Sequence, residues 1–334
     1  MDSDLVLVWA VLIALAVLFY VMLDGFDLGI GILVPLVGDA EQRDVMIDTV
    51  APVWDGNETW LVFGGAGLFA VFPLAYSLLL TAFYAPLTAM LLALVFRGVA
   101  FEFRHRDRQH KPLWTAAFSA GSMLAALTQG IVLGAFIQGI AVDGRSYAGG
   151  WFDWLTPFSV FTGLGLLAGY ALLGASWLVL KTEGPLRERM YSLLPAILVL
   201  TLLALAGVSL WTPWSEPAIA ARWFSWPNFG WLAPVPLVVA LLALALYRAV
   251  RQRNDGAPFP LCLGLFALSY LGLGISLFPH VVPPRITIWQ AAAPDSSLGF
   301  MLVGAAVLLP VILAYTAYNY WVFRGKVRAG DGYH

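Results

Sequence analysis

Apolar residues run along this chain in nine blocks, separated by short polar or proline-bearing segments. A membrane span needs about 20 mostly apolar residues. By that measure the blocks are 5–36, 53–71, 73–98, 113–141, 155–180, 191–211, 231–249, 259–279 and 298–323. The thinnest separation is Phe72-Pro73, between the second block and the third. Proline starts a helix well and continues one badly, so a tight interhelical turn is expected there. The pattern predicts an all-α polytopic membrane protein of about nine transmembrane helices, forming a single integral membrane domain over residues 1–334. No segment between blocks is long enough for a separate soluble domain, and no internal repeat or low-complexity tract is visible.

Composition agrees with the pattern. Hydrophobic residues make up 60% of the chain and charged residues 11%, with a mean hydropathy of +0.82. A soluble domain carries about 25% charged residues. The net charge of −2 leaves no basic surface for nucleic acid. Cys262 is the single cysteine and lies in an apolar run, which excludes an internal disulfide and argues against a thiolate metal site. The start, Met1-Asp2-Ser3-Asp4, is acidic where a signal peptide is basic, and no small-residue cleavage site ends the first apolar run. The first span is therefore expected to be retained.

The basic residues set an expected orientation. Arg43, Arg104, Arg106, Arg108, Lys111, Lys181, Arg187, Arg189, Arg248, Arg251, Arg253, Arg324, Lys326 and Arg328 fall in alternate interblock segments. Of the 18 Lys and Arg, only Arg145, Arg222 and Arg285 fall on the other side, with Arg97 inside a span. The positive-inside rule then predicts an outside N-terminus and a cytoplasmic C-terminus, consistent with an odd span count. Trp211, Trp214, Trp223, Trp226 and Trp231 bracket the outer segment between the sixth and seventh spans. They are read first as an interfacial belt.

Against this apolar background, two acidic clusters stand out: Asp24-Gly25-Phe26-Asp27-Leu28-Gly29 and Trp54-Asp55-Gly56-Asn57-Glu58-Thr59-Trp60. A carboxylate at membrane depth costs about 2.5–3.5 kcal/mol on insertion scales, so it is kept mainly where it pairs, relays protons or coordinates something. Counted from Leu5 at 1.5 Å per residue, Asp24 lies about 28 Å down the first helix, near its cytoplasmic boundary. Asp24 and Asp27 are three apart and share a helix face. Gly25 and Gly29 form a small-xxx-small pair that lets another helix approach closely. The third span brings Arg97 to a comparable depth, which suggests an ion pair with Asp27 or, alternatively, Asp24. Asp55 and Glu58, also three apart, open the second span on the basic side. Two readings stand for them: first-turn acids that oppose the positive helix end, or a carboxylate relay accepting protons from the cytoplasm.

The histidines supply no obvious metal or haem site. His105, His110 and His334 fall in cytoplasmic segments and His280 closes the eighth span, so none faces another within a span. Methionines sit at apolar or boundary positions suited to packing. No P-loop, dinucleotide glycine fingerprint or HExxH is present. Beside a proton relay, two readings compete for these carboxylates: a purely structural role, and the site of a proton-coupled secondary transporter. Transporter sites lie near the midplane between inverted repeats, whereas these acids sit toward one face.

The runs Asp24-Gly25-Phe26-Asp27-Leu28-Gly29, Ala51-Pro52-Val53-Trp54-Asp55-Gly56-Asn57-Glu58-Thr59-Trp60-Leu61 and Phe96-Arg97-Gly98-Val99-Ala100-Phe101-Glu102 resemble subunit II of the cytochrome bd ubiquinol oxidases. The chain is similar in particular to the cyanide-insensitive branch. The match is dense over residues 20–105 and rests beyond that on length, span count and topology. The resemblance implies a heterodimer in the bacterial inner membrane that oxidises quinol and reduces dioxygen to water. It places haems b and d, or a b-type substitute, in a larger haem-bearing subunit I, with no cofactor or metal bound by this chain, and it leaves room for a small single-span accessory subunit. It also implies that Asp55 opens a cytoplasmic proton path, that Trp60 lies by an oxygen route, and that Asp27 and Arg97 make a buried polar contact; the expected sites are then Asp55 and Glu58 for proton entry and Asp24, Asp27, Arg97 and Glu102 as a polar cluster. Glu102 stands where some relatives have aspartate, which keeps the charge and changes its reach.

Overall fold

The structure is a computed structural model that describes residues 4–107 and 109–328. Met1, Asp2, Ser3, Arg108 and His334, which the sequence reading used, lie outside the described residues. The helices are α1 (Asp4–Leu33, continued by a 3-10 turn at Val34–Leu36), α2 (Ala40–Asp48), α3 (Trp54–Val71), α4 (Pro73–Ala82), α5 (Tyr84–Arg106), α6 (Lys111–Gln138) and α7 (Pro157–Lys181). They continue as α8 (Gly184–Ser215), α9 (Pro217–Trp223), α10 (Asn228–Leu232), α11 (Pro234–Arg251), α12 (Pro258–Leu277), α13 (Ile288–Ala291) and α14 (Asp295–Val322). Two antiparallel hairpins complete the described structure. One pairs Val142 with Tyr147 and Asp143 with Ser146; the other pairs His280 with Thr287 and Val282 with Ile286.

Eight helical segments among the described residues are long and apolar enough to cross a membrane, or nine if the bent pair α3–α4 is counted as one span. The expected break at Phe72-Pro73 is a bend of 120° between α3 and α4. The expected third span, 73–98, is not one helix: α4 ends at Ala82, and α5 starts again at Tyr84 and runs on to Arg106. Pro86 falls in the first turn of α5, where its missing N–H costs no helix bond. The segment between the sixth and seventh spans also departs from expectation, because it holds two short helices: Trp211 and Trp214 lie at the end of α8, Trp223 on α9, Trp226 in the following turn and Trp231 on α10. Of these, Trp214, Trp226 and Trp231 are strongly exposed, as an interfacial belt requires.

The core forms around α1, which packs on α3, α6, α7, α12 and α14. Its closest approach is to α7, at Gly29 and Gly174. A Cβ on Gly29 would lie 1.9 Å from the Tyr170 carbonyl oxygen, and one on Gly174 would lie 2.5 Å from the Gly29 carbonyl carbon. These are backbone atoms that no rotamer change can move aside. Gly29→Ala is therefore expected to force the helices apart and cost more than the roughly 1–3 kcal/mol of ordinary overpacking. Yield of purified complex should collapse for Gly29→Ala and stay at the wild-type level for Gly38→Ala, since Gly38 has open space around its Cβ position.

Ion pairs gather one end of the bundle. Asp44 on α2 pairs with Arg104 on α5, and with Lys111 of α6 at 2.6 Å. Asp255, in the α11–α12 turn, binds Arg187 of α8 at 3.0 Å, Lys326 of the C-terminal tail at 2.6 Å and the Tyr191 hydroxyl at 2.8 Å. Partial burial alone would raise both carboxyls, but the bonds from their cationic partners outweigh it and hold each below its ordinary value of 3.8. A depressed folded-state pKa gives stability that is present above the unfolded value and lost as pH falls through the folded one. The thermal-stability difference between wild type and Asp44→Asn should thus be full near neutral pH, begin to shrink near 3.8 and close only as pH falls through the lower folded-state value. A difference that persists unchanged in acid would show that Asp44 contributes through packing alone.

Candidate functional site

The two acidic runs meet at this same end, on three neighbouring helices. Asp24 and Asp27 lie on α1 and Arg97 on α5, and all three are fully buried. Arg97 Nη1 donates to Asp24 Oδ1 at 2.7 Å. Asp27 Oδ2 lies 3.6 Å from Nη2, and Glu58 Oε2 lies 4.0 Å from Nη1. The sequence left Asp24 and Asp27 as alternatives for the guanidinium. The structure gives the direct hydrogen bond to Asp24 and keeps Asp27 beside it as a second, longer ion pair.

Asp27 has another partner. Asn57 Nδ2 on α3 donates to Asp27 Oδ2 at 2.8 Å, and the Tyr320 hydroxyl on α14 donates to Asn57 Oδ1 at 2.8 Å. A further polar group is built one turn up α1, where Gln129 Nε2 donates to the Tyr20 hydroxyl at 2.6 Å and Tyr170 donates to Gln129 Oε1 at 2.8 Å. Tyr20 and Asp24 are four apart and share a face. Sequence reasoning noted Asn57 only as a neighbour of the acids and missed Tyr20, Gln129, Tyr170 and Tyr320. Each is a polar residue inside an otherwise apolar block, and that was the signal available.

The acids of α3 connect this interior to the outside. Asp55 is exposed and Glu58 half-buried, its side chain 25% exposed. Both line an open cleft of about 400 Å³ between α3 and α5, walled by Trp54, Val62, Leu91, Leu94 and Val95. Trp54 stacks on Phe101 with centroids 4.9 Å apart, and its ring covers Gly98, next to Arg97. Asp55 lies in the first turn of α3, where a carboxylate opposes the positive helix end, so the helix-dipole reading keeps its geometry; the residue before the helix is Val53, which makes no side-chain cap bond, and Thr59 Oγ1 donates to the backbone carbonyl of Asp55. One guanidinium thus faces three carboxylates, Asp24, Asp27 and Glu58, with a fourth, Asp55, at the surface. Such a set can take up protons without drawing in a counter-ion.

Two sequence-predicted residues lie apart from the cluster. Glu102 is exposed and pairs with Arg106 at 3.6 Å. Five residues beyond Arg97, it is turned about 140° around α5 from the arginine, so its expected place in the cluster is corrected. Trp60 is buried on α3 in an aromatic seam, stacked on Phe19 at 4.8 Å and edge-on to Phe63 at 6.3 Å. Of the histidines, His110 bonds Asp107 in the α5–α6 turn, while His280 opens a hairpin beyond the end of α12. These two offer no facing axial pair for a haem between helices.

The fold and the cluster define a polytopic helical membrane protein with a charged site buried toward one end of its bundle. Residues 5–323 match the family model for cytochrome bd terminal oxidase subunit II, and the chain belongs to that family. It is 29% identical over 364 residues to cytochrome bd-I ubiquinol oxidase subunit 2 of Escherichia coli (strain K12), covering 97% of this chain and 95% of that one. Cytochrome bd ubiquinol oxidase subunit 2 of Bacillus subtilis (strain 168) is 29% identical over 331 residues, covering 96% of each. In three dimensions the chain is similar to a chain of the bd oxidase from Geobacillus thermodenitrificans, with a TM-score of 0.77, 19% identity and coverage of 96% of this chain and 99% of that one. The protein is therefore subunit II of a bd-type quinol oxidase, a haem-containing quinol:oxygen oxidoreductase complex whose subunit I is its partner.

Proposed function

We propose that this subunit takes up protons for dioxygen reduction through Asp55 and Glu58, and completes the membrane assembly around a subunit I that holds the haems b and d, or a b-type substitute. Quinol is oxidised at the outer surface and dioxygen reduced within the complex, in the bacterial inner membrane, with the basic end of this subunit facing the cytoplasm. Drawing protons from the cytoplasm while quinol releases them outside builds a membrane potential without a pump. The observation that carries the reading is the graded burial of the carboxylates, from exposed Asp55 through half-buried Glu58 to fully buried Asp24 and Asp27.

The exposed side of the cleft supports the assembly role. Glu58 and Thr59 project there beside Val62, Leu91 and Val95, and a carboxylate at that depth is costly against lipid. The haem-bearing partner covers this face and receives the protons. Trp60, in its aromatic seam, borders the route by which dioxygen approaches, and a small single-span subunit finds room on the remaining apolar faces. The test is quinol oxidase turnover per haem in the Asp55→Asn complex. A marked loss with normal haem content supports proton intake, whereas unchanged turnover removes Asp55 from the path.

A further inference from the structure

We propose that Tyr320 is a positioning residue for the buried carboxylate of Asp27, acting through the side-chain amide of Asn57. The inference rests on the proton-intake reading, because it concerns the inner end of the same carboxylate series.

The argument starts from the amide. Asn57 is 1% exposed and has two different ends, an NH₂ that only donates and a carbonyl that only accepts. Its NH₂ donates to Asp27 Oδ2 at 2.8 Å. Its carbonyl then faces Tyr320, whose hydroxyl is free to rotate and donates to it at 2.8 Å. The three groups form a directed chain, Tyr320 O–H to Asn57 C=O and Asn57 N–H to Asp27. Removing the hydroxyl leaves a buried amide carbonyl unpaired and the amide held only at its NH₂ end, by Asp27 Oδ2 at 2.8 Å and the Leu23 carbonyl at 3.4 Å, so its orientation against the carboxylate loosens.

The fold takes trouble to hold Tyr320 there. Most of α14 is exposed and makes few contacts with the bundle. At its last turn, however, Asn319 Nδ2 donates to the Pro52 carbonyl at 2.8 Å and the Tyr320 ring packs edge-on against Trp177, centroids 6.2 Å apart. The tail beyond is tied to the α7–α8 turn: Val327 N–H donates to the Lys181 carbonyl at 2.8 Å, and Lys181 Nζ donates to the carbonyl of Gly325 at 3.1 Å. The chain's last described helix is thus fastened at the point where it reaches the start of α3 and the buried acids of α1.

The experiment uses the complete oxidase, with turnover expressed per haem, and compares Tyr320→Phe, Asn57→Ala and the double variant. Phenylalanine keeps the ring against Trp177 and deletes only the hydroxyl. Tyr320→Phe is expected to lower kcat about three- to tenfold, the range commanded by one buried hydrogen bond, with the KM for quinol unchanged. In the Asn57→Ala background the same change should have no further effect, since the two act as one unit. Wild-type kcat in Tyr320→Phe would overturn the inference, as would a full additional loss in the double variant or a change confined to KM. Failure of Tyr320→Phe to assemble would overturn it too, because the hydroxyl would then serve folding and not orientation. Coupling between Tyr320 and Asn57 together with normal turnover in Asp55→Asn would leave this inference standing and refute only the surface intake at Asp55.

Discussion

Replacing Arg97 by leucine is expected to abolish recovery of the assembled oxidase. The guanidinium is wholly buried and, among the described residues, is the only cation within 4.0 Å of Asp24, Asp27 and Glu58. Removing one partner of a buried ion pair costs about 3–5 kcal/mol, because the remaining charge is left uncompensated in a medium of low dielectric. Here more than one carboxylate is stranded. A second change should restore part of the yield, and the geometry says which one. Asp24 takes the direct bond at 2.7 Å, whereas Asp27 keeps the Asn57 amide as a donor after the arginine is gone. Asp24→Asn should therefore rescue Arg97→Leu better than Asp27→Asn does. Normal yield of Arg97→Leu alone would mean the cluster carries no net stabilisation, and better rescue by Asp27→Asn would reverse the assigned partners.

The second large effect is expected in catalysis, from Asp55→Asn. Asparagine preserves shape and hydrogen bonding but does not exchange a proton near neutral pH. A positioned proton-transfer group contributes typically 10²–10⁴-fold, so a fall in turnover of about tenfold or more is expected even if water partly substitutes. Asp55→Glu restores a titratable group at slightly longer reach and should retain more activity than Asp55→Asn. A helix-dipole role for Asp55 predicts a different outcome, because neutral asparagine would forfeit only the charge–dipole interaction, about 0.3–1 kcal/mol of stability. Under that role Asp55→Asn would turn over normally.

Much of the fold was legible because bilayer thickness converts apolar length directly into spans. Eight blocks correspond to helices, and Phe72-Pro73 marks the bend at the end of α3. The break at Phe83 was not read, because neither Phe83 nor Tyr84 is a helix breaker; Pro86, three residues after Phe83 and inside the apolar block, was the cue. The charged residues were legible for a related reason: in a chain with 11% charge, each buried one stands out. Which aspartate holds Arg97 was not legible, since Asp24 and Asp27 share a face and the choice depends on side-chain rotamers. Nor was the link from Tyr320 to Asn57, 263 residues apart in sequence, for which no periodicity gives a sign. Glu102 shows the opposite error: it was grouped with Arg97 through the shared motif, and the helical turn separates them.

Proton uptake itself tests the account most directly. The reduced complex, reconstituted in vesicles, is given a pulse of oxygen while a pH indicator reports from the side carrying Asp55. Wild type should remove protons from that side in step with oxygen consumption, and Asp55→Asn should slow this uptake about tenfold or more at equal haem content. Uptake from that side at the wild-type rate in Asp55→Asn, or uptake by the wild type from the opposite side, would contradict proton intake through this subunit's carboxylates.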